Sequence, residues 1–197
     1  MISRRTLLQR SALLIGGTLV GADSLLAKNI DWDSISDAPE GKAIGLFSKT
    51  QVKLMNELAD TILPDTPGSP GAKAAKTGQF MAIMVSDCYE PDDQKRFLEG
   101  LAKIDAASKQ QMGKTFLKAN KTQRTTLLNG LDKEQKDFQK TRKSGEAQHY
   151  FRVFKDLALW GYFSSEIGST QALRFQEYPG KYTTIDYKKG DRMYGGY

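Results

Sequence analysis

LALWGYF, residues 157–163, runs for about two helical turns without a charged side chain. A helix lying on a protein surface keeps one polar face, so this segment must be enclosed, either by the other helices of its own domain or by a second chain. It belongs to a helix predicted over about 146–167. Working outward, Ser48 caps a first helix in which Val52, Met55, Ala59 and Ile62 recur at helical spacing and Pro64 is the stop. A second covers about 79–88 with Phe80, Ile83 and Met84 inward. A third starts at Pro91, carries Asp92 and Asp93 at its positive end, and stripes Phe97, Leu101 and Ile104. Asn120 with Gln123 three residues on opens a fourth, through Leu127 and Leu128 to about Leu131. From Asp132 to Lys143 nearly every second residue is ionisable, which reads as an exposed helix or loop. The fold class is therefore all-α, one domain of about five helices. Four companions must wrap the fifth, or a partner must help.

The connections are as informative as the helices. PDTPGSPG, residues 64–71, holds Pro64, Pro67 and Pro70 with two glycines, a composition that favours a defined, semi-rigid loop. Beyond Gly168 the chain turns irregular: Pro179, four glycines and five tyrosines fall within 178–197, as in an extended tail lying on something. Of the 197 residues, 46–197 form the helical domain with this tail, and 28–45 form a polar arm. A chain of this size buries about 70% of its unfolded surface and needs no staples.

Residues 1–27 read as a leader. Arg4, Arg5 and Arg10 make a positive start, and Ser11 to Ala22 supply an uncharged core too short for a permanent membrane helix. The arginine pair ahead of an apolar run resembles the twin-arginine signal that exports folded proteins. An amphipathic or buried N-terminal helix is the alternative, and it accounts for neither the pair nor its spacing. The whole chain carries a formal charge of +6; without residues 1–27 it loses three arginines and Asp23, leaving +4. The acid-free segment with Lys109, Lys114, Lys118, Lys121 and Arg124 suits a solvated face or an acidic partner rather than nucleic acid.

Chemistry of its own is hard to find in this chain. Cys88 is the lone cysteine, so an internal disulfide and all-cysteine metal or iron–sulfur sites are excluded. It is either a thiol buried with its helix or half of an intersubunit disulfide. His149 is the one histidine, which excludes a histidine metal cluster and a two-histidine acid–base pair. No nucleophile elbow, phosphate loop or dinucleotide fingerprint is present. Glu166 shares a helix face with Leu159 and Phe163, where a carboxylate needs a partner; Arg174 or a backbone N–H can supply it. Asp60 is placed to accept backbone donors of the Pro/Gly loop.

Three stretches carry a family resemblance: LADTILPDTPGSPGAKAAKTGQF (58–80), RFLEGLAKID (96–105) and GYFSSEIGSTQALRF (161–175). Together they resemble the gluconate 2-dehydrogenase subunit 3 family, the small subunit of flavin-dependent sugar and polyol dehydrogenases. The C-terminal end departs from the family pattern, TTIDYKKGDRMYGGY replacing a short Pro-containing end. The resemblance implies a non-catalytic accessory subunit without a cofactor of its own, bound to a large flavoprotein that holds FAD. The leader would then carry the assembled pair to the periplasm or cell envelope, with membrane association only through the complex and a cytochrome c as candidate electron acceptor. The expected interface comprises the Pro64–Pro67–Pro70 loop, Trp160, Gly161, Tyr162, Phe163, Glu166, Gly168 and Arg174. The rival expectation is a free-standing exported ligand-binding protein or enzyme, with Glu166, Asp60 and a pocket beneath PDTPGSPG as its site.

Overall fold

The computed structural model describes residues 43–178, 180, 181, 184 and 186–195. The leader with Arg4 and Arg5, and the arm as far as residue 42, lie outside them. The described chain enters through a tight turn in which Ile44 and Phe47 exchange backbone hydrogen bonds of 3.0 and 2.9 Å, and Phe47 is buried. Five α-helices follow: α1 (Lys49–Ile62), α2 (Thr77–Cys88), α3 (Pro91–Met112), α4 (Lys121–Thr141) and α5 (Tyr150–Phe163). A 3-10 turn, Phe116–Lys118, joins α3 to α4.

Local chemistry sets the helix ends. Ser48 and Gln51, and likewise Asn120 and Gln123, form reciprocal capping boxes at the starts of α1 and α4, satisfying backbone N–H groups that the helix itself leaves open. Pro91 occupies the first turn of α3 with Asp92 and Asp93, as the residue types dictate.

The elements differ from the expectation in three places. On α2 the buried positions include Met81, Ala82, Ile83 and Val85, while Phe80 and Met84 sit at the edge of the core. The charged run after Leu131 takes the helical one of its two expected forms, as a continuation of α4 to Thr141 rather than a separate element. Its charges are satisfied along the helix by Lys136–Asp132 and Lys140–Asp137 pairs, so a polar helix persists beyond its apolar stripe. Helix α5 is shorter than expected: it starts at Tyr150, capped by the His149 ring, and breaks at Ser164.

Helix α5 packs against α1, α2, α3 and α4. Phe151, Phe154, Leu157, Ala158 and Tyr162 form its buried face, with the Phe154 ring stacked on Phe97 at 4.1 Å. Each large side chain enclosed this way contributes about 1.5–3 kcal/mol. Polar staples tie the periphery. Arg124 of α4 pairs with Glu57 of α1 and donates to the carbonyls of Phe116 and Leu117 at 3.0 and 2.8 Å. Lys73 pairs with the same Glu57 at 2.8 Å. Burial pushes the Glu57 pKa up, but the Lys73 and Arg124 pairs outweigh it and leave the carboxyl below its ordinary value. Lys136 and Lys155 together hold Asp132 down at about 2.

Two outcomes follow from these arrangements. The Asp132 pKa is depressed in the folded state, so its contribution is complete above the unfolded carboxylate value near 4 and vanishes as pH falls through about 2. Thermal melts from pH 5 down to pH 2 (a range of roughly three units) are expected to show Asp132→Asn losing less stability than the parent chain. An equally steep fall in the variant would contradict the role of the Lys136–Asp132–Lys155 cluster. Gly130, exposed on α4, has open space where a Cβ would stand. Gly130→Ala is expected to raise stability by about 0.5–1 kcal/mol, measured by denaturant unfolding.

Candidate functional site: the lock and apolar groove at the end of α5

The Pro/Gly loop is rigid for definable reasons. Thr66 and Ser69 exchange backbone hydrogen bonds of 3.0 and 3.2 Å across Pro67–Gly68, a proline–glycine pair suited to a tight turn. The Asp65 carboxylate accepts the Gly71 N–H, and Ala72 N–H returns to the Leu63 carbonyl at 2.9 Å. A side chain at Gly71 would meet Asp65 N at 2.7 Å. Asp65 therefore takes the role expected of Asp60, whose Oδ1 lies only against the space above Gly71. Pro64 and Pro67 are exposed and Pro70 half-buried.

Tyr162 bolts this loop to α5. Its ring is 3% exposed, and its hydroxyl donates to the Pro70 carbonyl at 2.6 Å. With that proton committed, the Ser69 hydroxyl, 3.1 Å away, is the donor to the phenol oxygen. The Tyr162 hydroxyl thus lies against the Ser69–Pro70 end of the loop beneath which the rival expectation puts a pocket. One residue earlier, Gly161 leaves room for the Phe80 ring; a Cβ there would stand 2.4 Å from it. Phe80 in turn meets Trp160 edge to face at 5.5 Å.

The turn after α5 is built around Ser165 and Gly168. Ser165 Oγ donates to the Tyr162 carbonyl at 2.6 Å and accepts Gly168 N–H at 3.0 Å. A widened π turn, Gly168–Ala172, then closes with Leu173 N–H on the Gly168 carbonyl. Glu166 is exposed on this turn and contributes through its carbonyl, which accepts Thr170 Oγ1 at 2.7 Å. Arg174 turns instead to the tail: it stands 3.6 Å from Asp191 and over the Tyr194 ring. Glu166 lies exposed, where its carboxylate does not need the partner, Arg174 or a backbone N–H, expected for it on an apolar face. The tail returns on itself, β1 (Arg174–Phe175) pairing in parallel with β2 (Tyr194–Gly195).

These elements surround a groove of about 220 Å³ lined by Trp160, Phe163, Leu173 and Phe175, with Ser164 and Ser169 at its side. Trp160 is 54% and Phe163 37% exposed. The apolar run at 157–163 is thus half enclosed by its own domain, while Trp160 and Phe163 remain partly exposed. Isolated exposed apolar side chains are ordinary, but a contiguous set held on rigid backbone marks an interaction surface. Among the described residues, no group of three acidic, cysteine or histidine side chains could hold a metal ion, and no helix is long and apolar enough to cross a membrane.

The structure brings Pro70, Trp160, Gly161, Tyr162, Phe163 and Gly168 together around this lock. It leaves Cys88 elsewhere, exposed at the end of α2 rather than buried with its helix. Sequence reading gave no role to Ser69, Ser165 and Phe175, and took Phe80 as an inward residue of the second helix rather than as part of the site. A serine three residues after a helical tyrosine, at the helix end, is the pattern that could have revealed Ser165.

The segments that meet here, the loop at 64–71 and the turn at 161–168, lie within the 49–180 stretch matched by the family model described as Gluconate 2-dehydrogenase subunit 3. The chain belongs to that family. No curated protein and no solved structure matches it. The family match covers all five helices and the π turn, and stops before the β2 strand of the tail. Family membership makes the chain an accessory subunit of a dehydrogenase complex.

Proposed function

We propose that this chain is the non-catalytic small subunit of an exported, FAD-dependent sugar or polyol dehydrogenase, of the glucose–methanol–choline type. It folds against the catalytic flavoprotein, stabilises it and carries it through the twin-arginine route to the periplasm or cell envelope. The observation that supports this most strongly is the Trp160–Phe163–Phe175 groove, a firmly built apolar surface partly open to solvent. The Tyr162 lock gives that surface a fixed shape, so little conformational entropy is lost when a partner covers it. A permanent interface of this kind covers about 2,000 Å² or more. The groove would be its centre, with the crest of the Pro/Gly loop and the tail as its margin.

The partner supplies FAD and the chemistry; this chain supplies surface and address. The test is Arg4→Lys with Arg5→Lys in the producing cell. Both proteins are expected to accumulate in the cytoplasm, followed by immunoblotting of fractions. Normal amounts of the flavoprotein outside the cytoplasm would refute co-export.

A further inference from the structure

A second concavity of about 500 Å³ lies between α3 and the segment leading into α5, lined by residues different from those of the groove. That volume falls within the range of small-ligand pockets, about 300–1,000 Å³. Its walls carry five aromatic rings: Tyr89, Phe97, Phe138, His149 and Tyr150. Three of them adjoin in sequence of contact, Phe138 to His149 at 5.8 Å and His149 to Tyr150 at 4.4 Å. The His149 ring is fixed: Nδ1 accepts the Phe151 N–H and Nε2 faces Glu134, each at 3.3 Å.

The charge around these rings is mixed but leans negative. Asp93, Glu99 and Glu146 line the cleft against Arg96 and Lys103, and Arg96 is already paired with Asp93. Both phenols feel the carboxylates. Burial pushes Tyr89 up and Asp93 and Asp156 add to it; burial pushes Tyr150 up and Glu134 adds to it. One cation is already in place, the Lys103 ammonium, 5.5 Å from the centre of the Tyr150 ring. Aromatic faces backed by negative charge attract cations, most strongly where water is partly excluded.

We infer that this cleft is a binding site for an organic cation, a quaternary ammonium or guanidinium group, seated on the Phe138–His149–Tyr150 rings where Lys103 now stands. The cation comes either as a free small molecule or as a basic side chain of a bound chain. An ammonium on a flexible lysine stem is easily displaced, so Lys103 acts as an internal competitor. This site is independent of the groove at the end of α5, and its failure would leave the subunit reading untouched.

His149 is the sole histidine, so in an untagged full chain its ring C–H NMR signals report on the cleft without assignment. Choline chloride, ethylguanidinium chloride and the uncharged carbon isostere of choline are titrated at constant ionic strength. Saturable shifts are expected with the cations, at least about fivefold tighter than with the isostere. Tighter binding of choline assigns a free quaternary ammonium compound, and tighter binding of ethylguanidinium assigns an arginine from another chain. Lys103→Met is expected to strengthen binding. Phe138→Leu, on the half-buried edge of α4, is expected to weaken it at unchanged Tm, a fallback should Tyr150→Leu fail to fold. Equal response to the isostere, absence of a saturable shift, or weaker binding by Lys103→Met would overturn the assignment.

Discussion

Trp160→Glu combined with Phe163→Glu is expected to weaken the chain's hold on its partner subunit by about 100-fold or more, while the domain itself stays folded. Exposed aromatic anchors at the centre of an interface each contribute on the order of 2 kcal/mol or more, and a carboxylate in a covered groove adds an unpaired buried charge. The folded domain loses less, because both side chains are partly exposed and give up two edge-to-face contacts, Trp160 with Phe80 and Phe163 with Tyr162. Each contact is worth about 0.5–1.5 kcal/mol. Co-purification and thermal melts separate the two effects: association should vanish with a small change in Tm. Full retention of the partner by the double variant would move the interface away from the groove.

The second large effect concerns the lock itself. Gly168→Ala places a Cβ 1.9 Å from the Tyr162 carbonyl oxygen, 2.7 Å from its carbon and 3.0 Å from the Phe163 Cα. All three are backbone atoms of α5, so no side-chain rotation relieves the clash. The π turn or the end of α5 must move, and with it the Ser165 bridge and the Tyr162–Pro70 bond. A cost of about 3 kcal/mol is expected, which for a domain of this size lowers Tm by roughly 6–12 °C. A melt within about 2 °C of the parent would mean that the turn adapts freely and that glycine is not required there.

Much of this architecture was legible in the residues. The capping pairs Ser48–Gln51 and Asn120–Gln123 and the Pro91–Asp92–Asp93 start report purely local chemistry, and the helices begin where that chemistry places them. The helix ends were less legible. The continuation of α4 through its charged run depends on lysine–aspartate pairs that only matter once the helix exists. The break in α5 at Ser164 depends on Ser165 intercepting the Tyr162 carbonyl. At the site, Glu166 reads as a carboxylate on an apolar face only if one helix runs unbroken to Ile167; α5 breaks at Ser164, Glu166 is exposed and Arg174 meets Asp191. Contacts between distant segments were invisible for the same reason. The bond from Tyr162 to Pro70 joins residues 92 apart, and no periodicity encodes it. The aromatic cleft is not legible in the sequence because its rings come from separate places, Tyr89 between α2 and α3, Phe97 on α3, Phe138 on α4, and His149 and Tyr150 at the start of α5.

The account rests most heavily on the chain being one half of a working pair, and gentle purification of the native protein tests that directly. The expected result is co-elution with a larger second chain and the absorbance of bound FAD, with Trp160 and Phe163 protected from solvent in the complex. Elution of this chain alone, as a colourless monomer with its aromatic groove still open to water, would contradict it.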